Sequence, residues 1–244
     1  MHRFFVPPQA IDGETVVLSG NQAHHLRTVL RIRPGQTIEL FDGTGAVYRT
    51  EIQKISENTI EGHIIGHLVE SARPDFPLTL AQGILKGKKM DLVLQKATEL
   101  GVDILMPVLT RYCQQQKNLE RRMQRWQRIV LEACKQCGRS VPMLITPVVT
   151  LQDLPVASFQ YPLLCWEGEE QAMVHPELFI VPGKVLLLIG PEGGFHKQEV
   201  QWAGDQGFQA VTLGPLVLRA ETAAIAAVGI IQYLTRIQAA RLQE

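Results

Sequence analysis

An excess of charge of either sign is missing from this sequence. Across 244 residues, 24 Lys and Arg meet 24 Asp and Glu, which argues against a polycation that grips nucleic acid through its total charge and against a charged disordered tail. A local basic face is still allowed. Cysteine is scarce as well: of four, only Cys134 and Cys137 lie close together, and neither Cys113 nor Cys165 forms a second pair. A structural zinc takes four ligands at matched spacing, so reduced thiols and no metal are expected, with Cys134 and Cys137 as helix neighbours. No apolar run reads as long enough to span a bilayer, and no basic N-terminal region precedes an apolar one. The expectation is a cytoplasmic protein with no membrane partner.

What is present describes an ordinary globular chain, 45% hydrophobic and long enough for one large or two smaller cores. Residues 1–72 carry alternating or apolar runs at Arg3 to Val6, Thr15 to Leu18, Thr37 to Phe41, Ala46 to Ile55 and Thr59 to Val69, separated by Asp12-Gly13, Pro34-Gly35 and Asp42-Gly43 turns. With one helix-like insert at Asn21 to Leu30, this predicts a small closed or partly closed β-barrel. Ser71 to Pro77, with two prolines, reads as a linker. Residues 73–244 then alternate between strand and helix. Strands are expected at Leu78 to Ile84, Ile104 to Leu109, Leu163 to Trp166, Val185 to Ile189 and Ala210 to Leu213. Helices are expected over Lys88 to Leu100, Leu119 to Gln136, Lys197 to Gln206 and Ala220 to Ala240. That order predicts an α/β domain with a mainly parallel sheet covered by helices.

Two loops at expected strand ends carry the chemistry. Gly190-Pro-Glu-Gly-Gly194 follows the apolar run Val185 to Ile189, and Leu213-Gly-Pro-Leu-Val-Leu-Arg219 runs into the last helix. Open α/β sheets place ligands at the carboxyl ends of their strands. Glycine lets backbone approach a ligand, and Pro191 stiffens the turn. The first loop lacks both the Gly-x-Gly-x-x-Gly spacing and a following Gly-Lys-Ser/Thr, which favours an adenosine ligand without phosphates over a phosphate-bearing nucleotide. In the second, backbone groups and leucines suit an adenine, while Glu221 and Thr222 stand at the start of the last helix, where the dipole is positive.

Basic side chains gather in three places: Arg27, Arg31 and Arg33 beside His24 and His25; Lys86, Lys88 and Lys89; and Arg121, Arg122, Arg125, Arg128 and Arg139. Arg121, Arg125 and Arg128 share one helical face. Such runs are either solvated faces or nucleic-acid contacts. His24 and His25 point in different directions on a helix and do not suggest a metal or proton relay. Trp126, Trp166 and Trp202 read as packing residues, with Trp166 beside the pocket.

The order and spacing of Arg3-Phe-Phe-Val6, His24-His-Leu-Arg-Thr-Val-Leu-Arg31, Gln95-Lys-Ala-Thr-Glu-Leu-Gly101, Gln136-Cys-Gly-Arg139 and the two loops resemble the RsmE family of SPOUT methyltransferases. The resemblance covers nearly the whole chain. It implies an α/β fold with a SPOUT-type knotted, mainly parallel sheet and helices on both faces, the last helix threaded through the loop before it, and a PUA-like RNA-binding β-barrel domain over residues 1–72. It implies S-adenosylmethionine (SAM) as cofactor, held by Leu188, Gly190, Pro191, Glu192, Gly193, Gly194, Leu213, Gly214, Leu218 and Thr222. The implied reaction is methylation of N3 of a uridine in small-subunit (16S) ribosomal RNA, within an assembled or nearly assembled subunit, by a homodimer and without metal. Arg219 would stabilise charge on the uracil oxygens, and Glu221 or Glu192 would be the base unless either only orients the ligand. Arg3, Arg27, Arg31, Lys86, Lys88, Lys89 and Arg139 would contact RNA.

Three positions depart from the family pattern: Leu216 in place of Arg, Lys135 in place of Glu, and Arg111-Tyr112 in place of an acidic residue followed by Arg. The first supports an alternative, a non-catalytic RNA-binding or ribosome-assembly factor that keeps the fold. Methylation of another RNA nucleotide is a third reading, against which the N-terminal unit argues.

Overall fold

The computed structural model describes residues 2–69, 75–113 and 118–242, so part of the expected linker, residues 71–74, lies outside the described residues. By contacts the chain forms two units: Met1–Ala72 with Cys134–Pro142, and Arg73–Ala133 with Met143–Glu244.

In the first unit β1 (Arg3–Phe5), β2 (Ile11–Asp12), β3 (Thr15–Ser19), β4 (Thr37–Phe41), β5 (Ala46–Ile55) and β6 (Thr59–Val69) form one sheet in the order β1-β4-β5-β6-β3-β2. Only β1 with β4 is parallel. Helix α1 (Gly20–His24) continues as a π-helical turn over His25–Val29. Phe4 on the edge strand β1 shares a core with Val16 and Leu18 of β3, Ile38 and Leu40 of β4, Ile52, Ile60 and Leu26. Strands from both ends of the sheet can share one core only if the sheet curls over it. The result is a half-barrel, because the hydrogen-bonded path does not close among the described residues. Register shifts at Arg49/Thr50 and Ile52/Lys54 bend the long β5–β6 pair. Strand periodicity found the five longer strands; the two-residue β2 is too short to show a period.

The second unit contains β7 (Leu78–Gly83), α2 (Lys88–Glu99), β8 (Ile104–Leu109), α3 (Leu119–Cys137), β9 (Leu144–Ile145), β10 (Val149–Thr150), β11 (Tyr161–Cys165), β12 (Val185–Ile189), α4 (Lys197–Asp205), β13 (Gln209–Val211) and α5 (Ala220–Leu242). The last residues of α3 count with the first unit. The sheet order is β10-β8-β7-β12-β11-β13, with β9 also on β8. Every pairing in it is parallel. All residues of β7 and β12 are buried; β12 reads as an unbroken apolar run for that reason, while β7 takes the polar Thr79 and Gln82 into the interior. Helix α2 buries Met90, Val93, Leu94, Ala97 and Thr98, one stripe at helical spacing. Trp126, 1% exposed, is a core residue as its sequence context suggested.

Against expectation, among the described residues the 23-residue α5 is long and apolar enough to cross a membrane by length and composition, its most apolar 18 residues averaging a hydropathy of 1.3. Its apolarity has a use inside the unit: α5 packs on α2, β7 and β12, burying Ala224, Ala227, Val228, Ile231 and Thr235. Gln232 donates to the Gly101 carbonyl at 2.8 Å and ties the helix to the end of α2.

Candidate active site

Because β12 and β13 both flank β11, the carboxyl ends of these three strands lie side by side. The segments leaving them line a cavity of about 740 Å³, within the size range of small-molecule sites. From β11 come Cys165, Trp166, Glu167, Glu169 and Glu170; from β12, Ile189 to Glu192 and Gly194; from β13, Thr212 to Glu221 and Ala223. Lys89 of α2 completes the lining.

The loop after β12 is pinned at several points. The Gln82 side-chain amide, at the buried end of β7, donates to the carbonyls of Gly83 at 3.0 Å and Gly190 at 3.2 Å. Gly83 lets the two segments touch, since a Cβ there would stand 2.6 Å from the Pro191 nitrogen. Gly194 has φ +67, and its amide closes a turn on the Pro191 carbonyl at 3.0 Å. Glu192 accepts the Lys86 amide at 3.1 Å and pairs with Lys89 Nζ at 3.3 Å. Burial pulls the Glu192 carboxyl upward, but the Lys86 amide, its own amide and the Lys89 ammonium outweigh this and hold it below the usual carboxylate value.

The loop after β13 is open. Thr212 Oγ1 bonds the carbonyl and amide of Gly214 at 3.2 and 3.3 Å, and beyond that turn Leu216 is 77% and Val217 82% exposed. Arg219 is exposed at the cavity. Glu221 is only 9% exposed, and its Oε2 is buried without a hydrogen-bond partner.

The structure brings Gly190, Pro191, Glu192, Gly194, Leu213, Gly214, Leu218, Arg219 and Glu221 together around one cavity. Three expected cofactor residues are not among those that line it. Leu188 is fully buried in the core beside the sheet, Thr222 is exposed outside the lining, and a Cβ on Gly193 would meet Tyr112 at 3.0 Å, not the cavity. The Arg111-Tyr112 turn that crowds Gly193 is itself held on α4. The Arg111 amide donates to Glu199 at 2.8 Å, and the Tyr112 ring stands edge-on to His196. Sequence reasoning missed Glu167, Glu169 and Glu170, which follow β11; the rule that ligands sit at strand ends, applied to that third strand, was the signal for them.

Of the residues expected to meet RNA, Lys86, Lys88 and Arg31 are exposed. Lys89 is committed to Glu192, and Arg27 donates to the Glu57 carbonyl. Arg3 lies 5.2 Å over the Phe41 ring with Nε and Nη2 buried and unpartnered, and Arg139 donates to the Val141 carbonyl at 2.5 Å. On α3, Arg125 is paired with Asp91 at 2.5 Å.

Electrostatically the cavity is acidic, with Glu167, Glu169, Glu170, Glu192 and Glu221 against Lys89 and Arg219. Such a lining suits a cationic ligand and opposes a phosphate-bearing one. Cys165 is no nucleophile: burial, aided by Glu167, pushes its thiol up to about 11. Among the described residues no group of three His, Cys, Asp or Glu converges as metal ligands would.

Residues 72–232 match the model of an RNA methyltransferase domain, and residues 18–65 that of an RNA methyltransferase PUA domain. The chain is 32% identical over 90% of both lengths to ribosomal RNA small subunit methyltransferase E of Buchnera aphidicola. A solved ribosomal RNA small subunit methyltransferase E from Neisseria gonorrhoeae, bound to S-adenosyl methionine, superposes with TM-score 0.85 at 35% identity, covering 96% of this chain and 98% of that one. A Legionella pneumophila protein in complex with the bound cofactor SAM gives TM-score 0.86 at 31% identity, over 95% and 96%.

Proposed function

From a chain that belongs to the ribosomal RNA small subunit methyltransferase E family, we propose a SAM-dependent enzyme that methylates N3 of a uridine in small-subunit (16S) ribosomal RNA. The observation that carries this reading is the acidic cavity of about 740 Å³ at three strand ends, with the buried Glu221 oxygen left without a partner. That lining fits SAM, an adenosine ligand whose sulfonium and ammonium groups outweigh its one carboxylate and leave it a net cation. Gly190, Pro191, Gly194, Leu213, Gly214 and Leu218 would hold it through backbone and apolar contact. When bound, SAM supplies an electrophilic methyl group.

This chain's own residues then have separable tasks. Aligning the uracil nitrogen with the methyl carbon is positional work, which the pinned loop after β12 performs by not moving. Arg219, exposed at the cavity, faces the negative charge that builds on the uracil oxygens as N3 loses its proton. Glu192 is a poor proton acceptor, because the Lys86 amide and the Lys89 ammonium on its Oε1 help hold the carboxyl below its ordinary value; it clamps the loop to the start of α2. Glu221 is left as either the proton acceptor or the group that holds the donor.

Exposed Lys86, Lys88 and Arg31 suit RNA phosphates, while the acidic cavity is left for the donor and the target base. We assign the protein to the cytoplasm and to an assembled or nearly assembled subunit, and the knot formed by α5 belongs to the same reading. The open loop's Leu216 and Val217, together with Tyr233 of α5 at 67% exposure, favour a homodimer that covers them. Transfer of labelled methyl from SAM to small-subunit ribosomal RNA, followed by nucleoside mass spectrometry, tests the proposal. Methylated uridine is expected; SAM binding without transfer would select the non-catalytic RNA-binding factor, for which Leu216 speaks.

A further inference from the structure

Glu221 stands out among the acidic residues of the cavity. Glu169 is spent on the amides of Gln171 and Ala172, both at 2.9 Å, and Glu192 on Lys86 and Lys89. Glu167 and Glu170 are exposed. Glu221 alone is both buried, at 9% exposure, and left with an unpartnered oxygen. An acid in the first turn of a helix is ordinarily favoured by the dipole, but that benefit needs no burial. Burying a carboxylate oxygen with no partner costs free energy, and a chain retains such an arrangement where a ligand completes it. The nearby cations do not complete it in this structure: Lys89 is bound to Glu192, and no hydrogen bond or ion pair joins Arg219 to Glu221 among the described residues.

We propose that Glu221 reads the positive charge of the methyl donor and is the residue by which the site distinguishes donor from spent product. This rests on the reading of the cavity as a SAM site. In the transfer, N3 of the uracil gives up its proton to water, the N3 electron pair forms the new N–C bond as the S–C bond breaks, and sulfur keeps the bonding pair. The sulfonium cation thereby becomes a neutral thioether. A carboxylate facing that centre loses its counter-charge in the same step, so its attraction falls when the reaction is complete, and release of S-adenosylhomocysteine is favoured without a conformational change. The neighbouring exposed carboxylates are screened by water and discriminate far less.

Calorimetry on the purified full-length protein tests this with three ligands: SAM, S-adenosylhomocysteine, and the unreactive analogue that carries a protonated amine in place of the methylsulfonium. Glu221→Gln keeps size and loses charge. It is expected to weaken SAM and the amine analogue by about tenfold to a hundredfold, the range for a lost charged hydrogen-bond partner. S-adenosylhomocysteine should change less than about twofold, the scale of a neutral contact retained. Glu221→Asp should recover part of the preference, and Glu170→Gln should leave it in place. A parallel thermal melt identifies a variant that fails to fold, in which case Glu221→Asp alone carries the comparison. Equal weakening of all three ligands overturns the proposal, as does an unchanged set of affinities with lost turnover, which would make Glu221 the proton acceptor. Failure of the unaltered protein to bind any of the three would instead overturn the SAM reading itself.

Discussion

The two loops that frame the cavity differ in how much of their shape the chain supplies. The one after β12 is fixed from three sides: Gln82 holds the Gly190 carbonyl, Gly83 gives Pro191 room, and Lys86 and Lys89 hold Glu192. The one after β13 has a single Thr212–Gly214 turn and then leaves Leu216 and Val217 almost fully in solvent. The difference teaches a division of labour. A ligand needs one wall already in place so that little entropy is lost on binding, whereas an apolar, unanchored wall is left for whatever covers it, which on the proposal above is a second subunit or the RNA substrate.

Gly83→Ala should break the comparison from the pinned side and have the largest effect on stability. A Cβ at position 83 meets backbone and ring atoms at 2.6 to 2.9 Å that cannot rotate away. A loss of about 1–3 kcal/mol and of SAM affinity is expected from denaturant melts and calorimetry. A variant as stable as the parent would show that the loop is not braced there.

Glu192→Gln should cost less, about 1 kcal/mol, because its ion pair is partly exposed, and should raise the KM for SAM more than it lowers kcat. Its pH dependence has a definite sign. Burial works against the charged form, yet the net shift is downward from 4.5. The contribution is therefore complete above that ordinary value and is lost as pH falls through the lower folded-state one. Parent and variant melts should converge under acid; a gap that persists there would show that the carboxylate's charge contributes nothing.

Leu216→Ser combined with Val217→Ser sharpens the comparison from the open side. Little change in monomer stability is expected, within about 0.5 kcal/mol, together with a lower solution mass and weaker methyl transfer. An unchanged dimer with full transfer would assign these side chains to neither partner. The smallest effect concerns the floor of the cavity. Cys165, with its thiol near 11, should react with a thiol reagent at mildly alkaline pH far more slowly than exposed Cys137, and bound SAM should slow it further. Equal labelling rates would mean that the cavity floor is open to solvent.

The long elements were legible because their periods are strong. The unbroken apolar run of β12 and the stripe Met90, Val93, Leu94, Ala97 in α2 can be read without tertiary information. The two-residue strands β9 and β10 cannot, since pairing with β8 and not propensity makes them strands. The same holds for the inclusion of Cys134–Pro142 in the first unit, since that segment begins inside α3, where helical periodicity marks no boundary. In the site, glycine-rich loops at strand ends announced themselves. Gly193, read as a ligand contact, also has Tyr112 3.0 Å from where a Cβ would stand, a neighbour that no sequence pattern announces.

Local patterns and spacing made the family, the parallel character of the second sheet and the glycine-rich loops at its strand ends legible in the chain. Which glutamates are paired and which is buried alone, which glycines line the cavity, and that residues after β11 join those after β12 and β13 come from tertiary contacts. Those outcomes depend on strand order and on contacts between residues far apart in the chain, which hydrophobic periodicity does not encode.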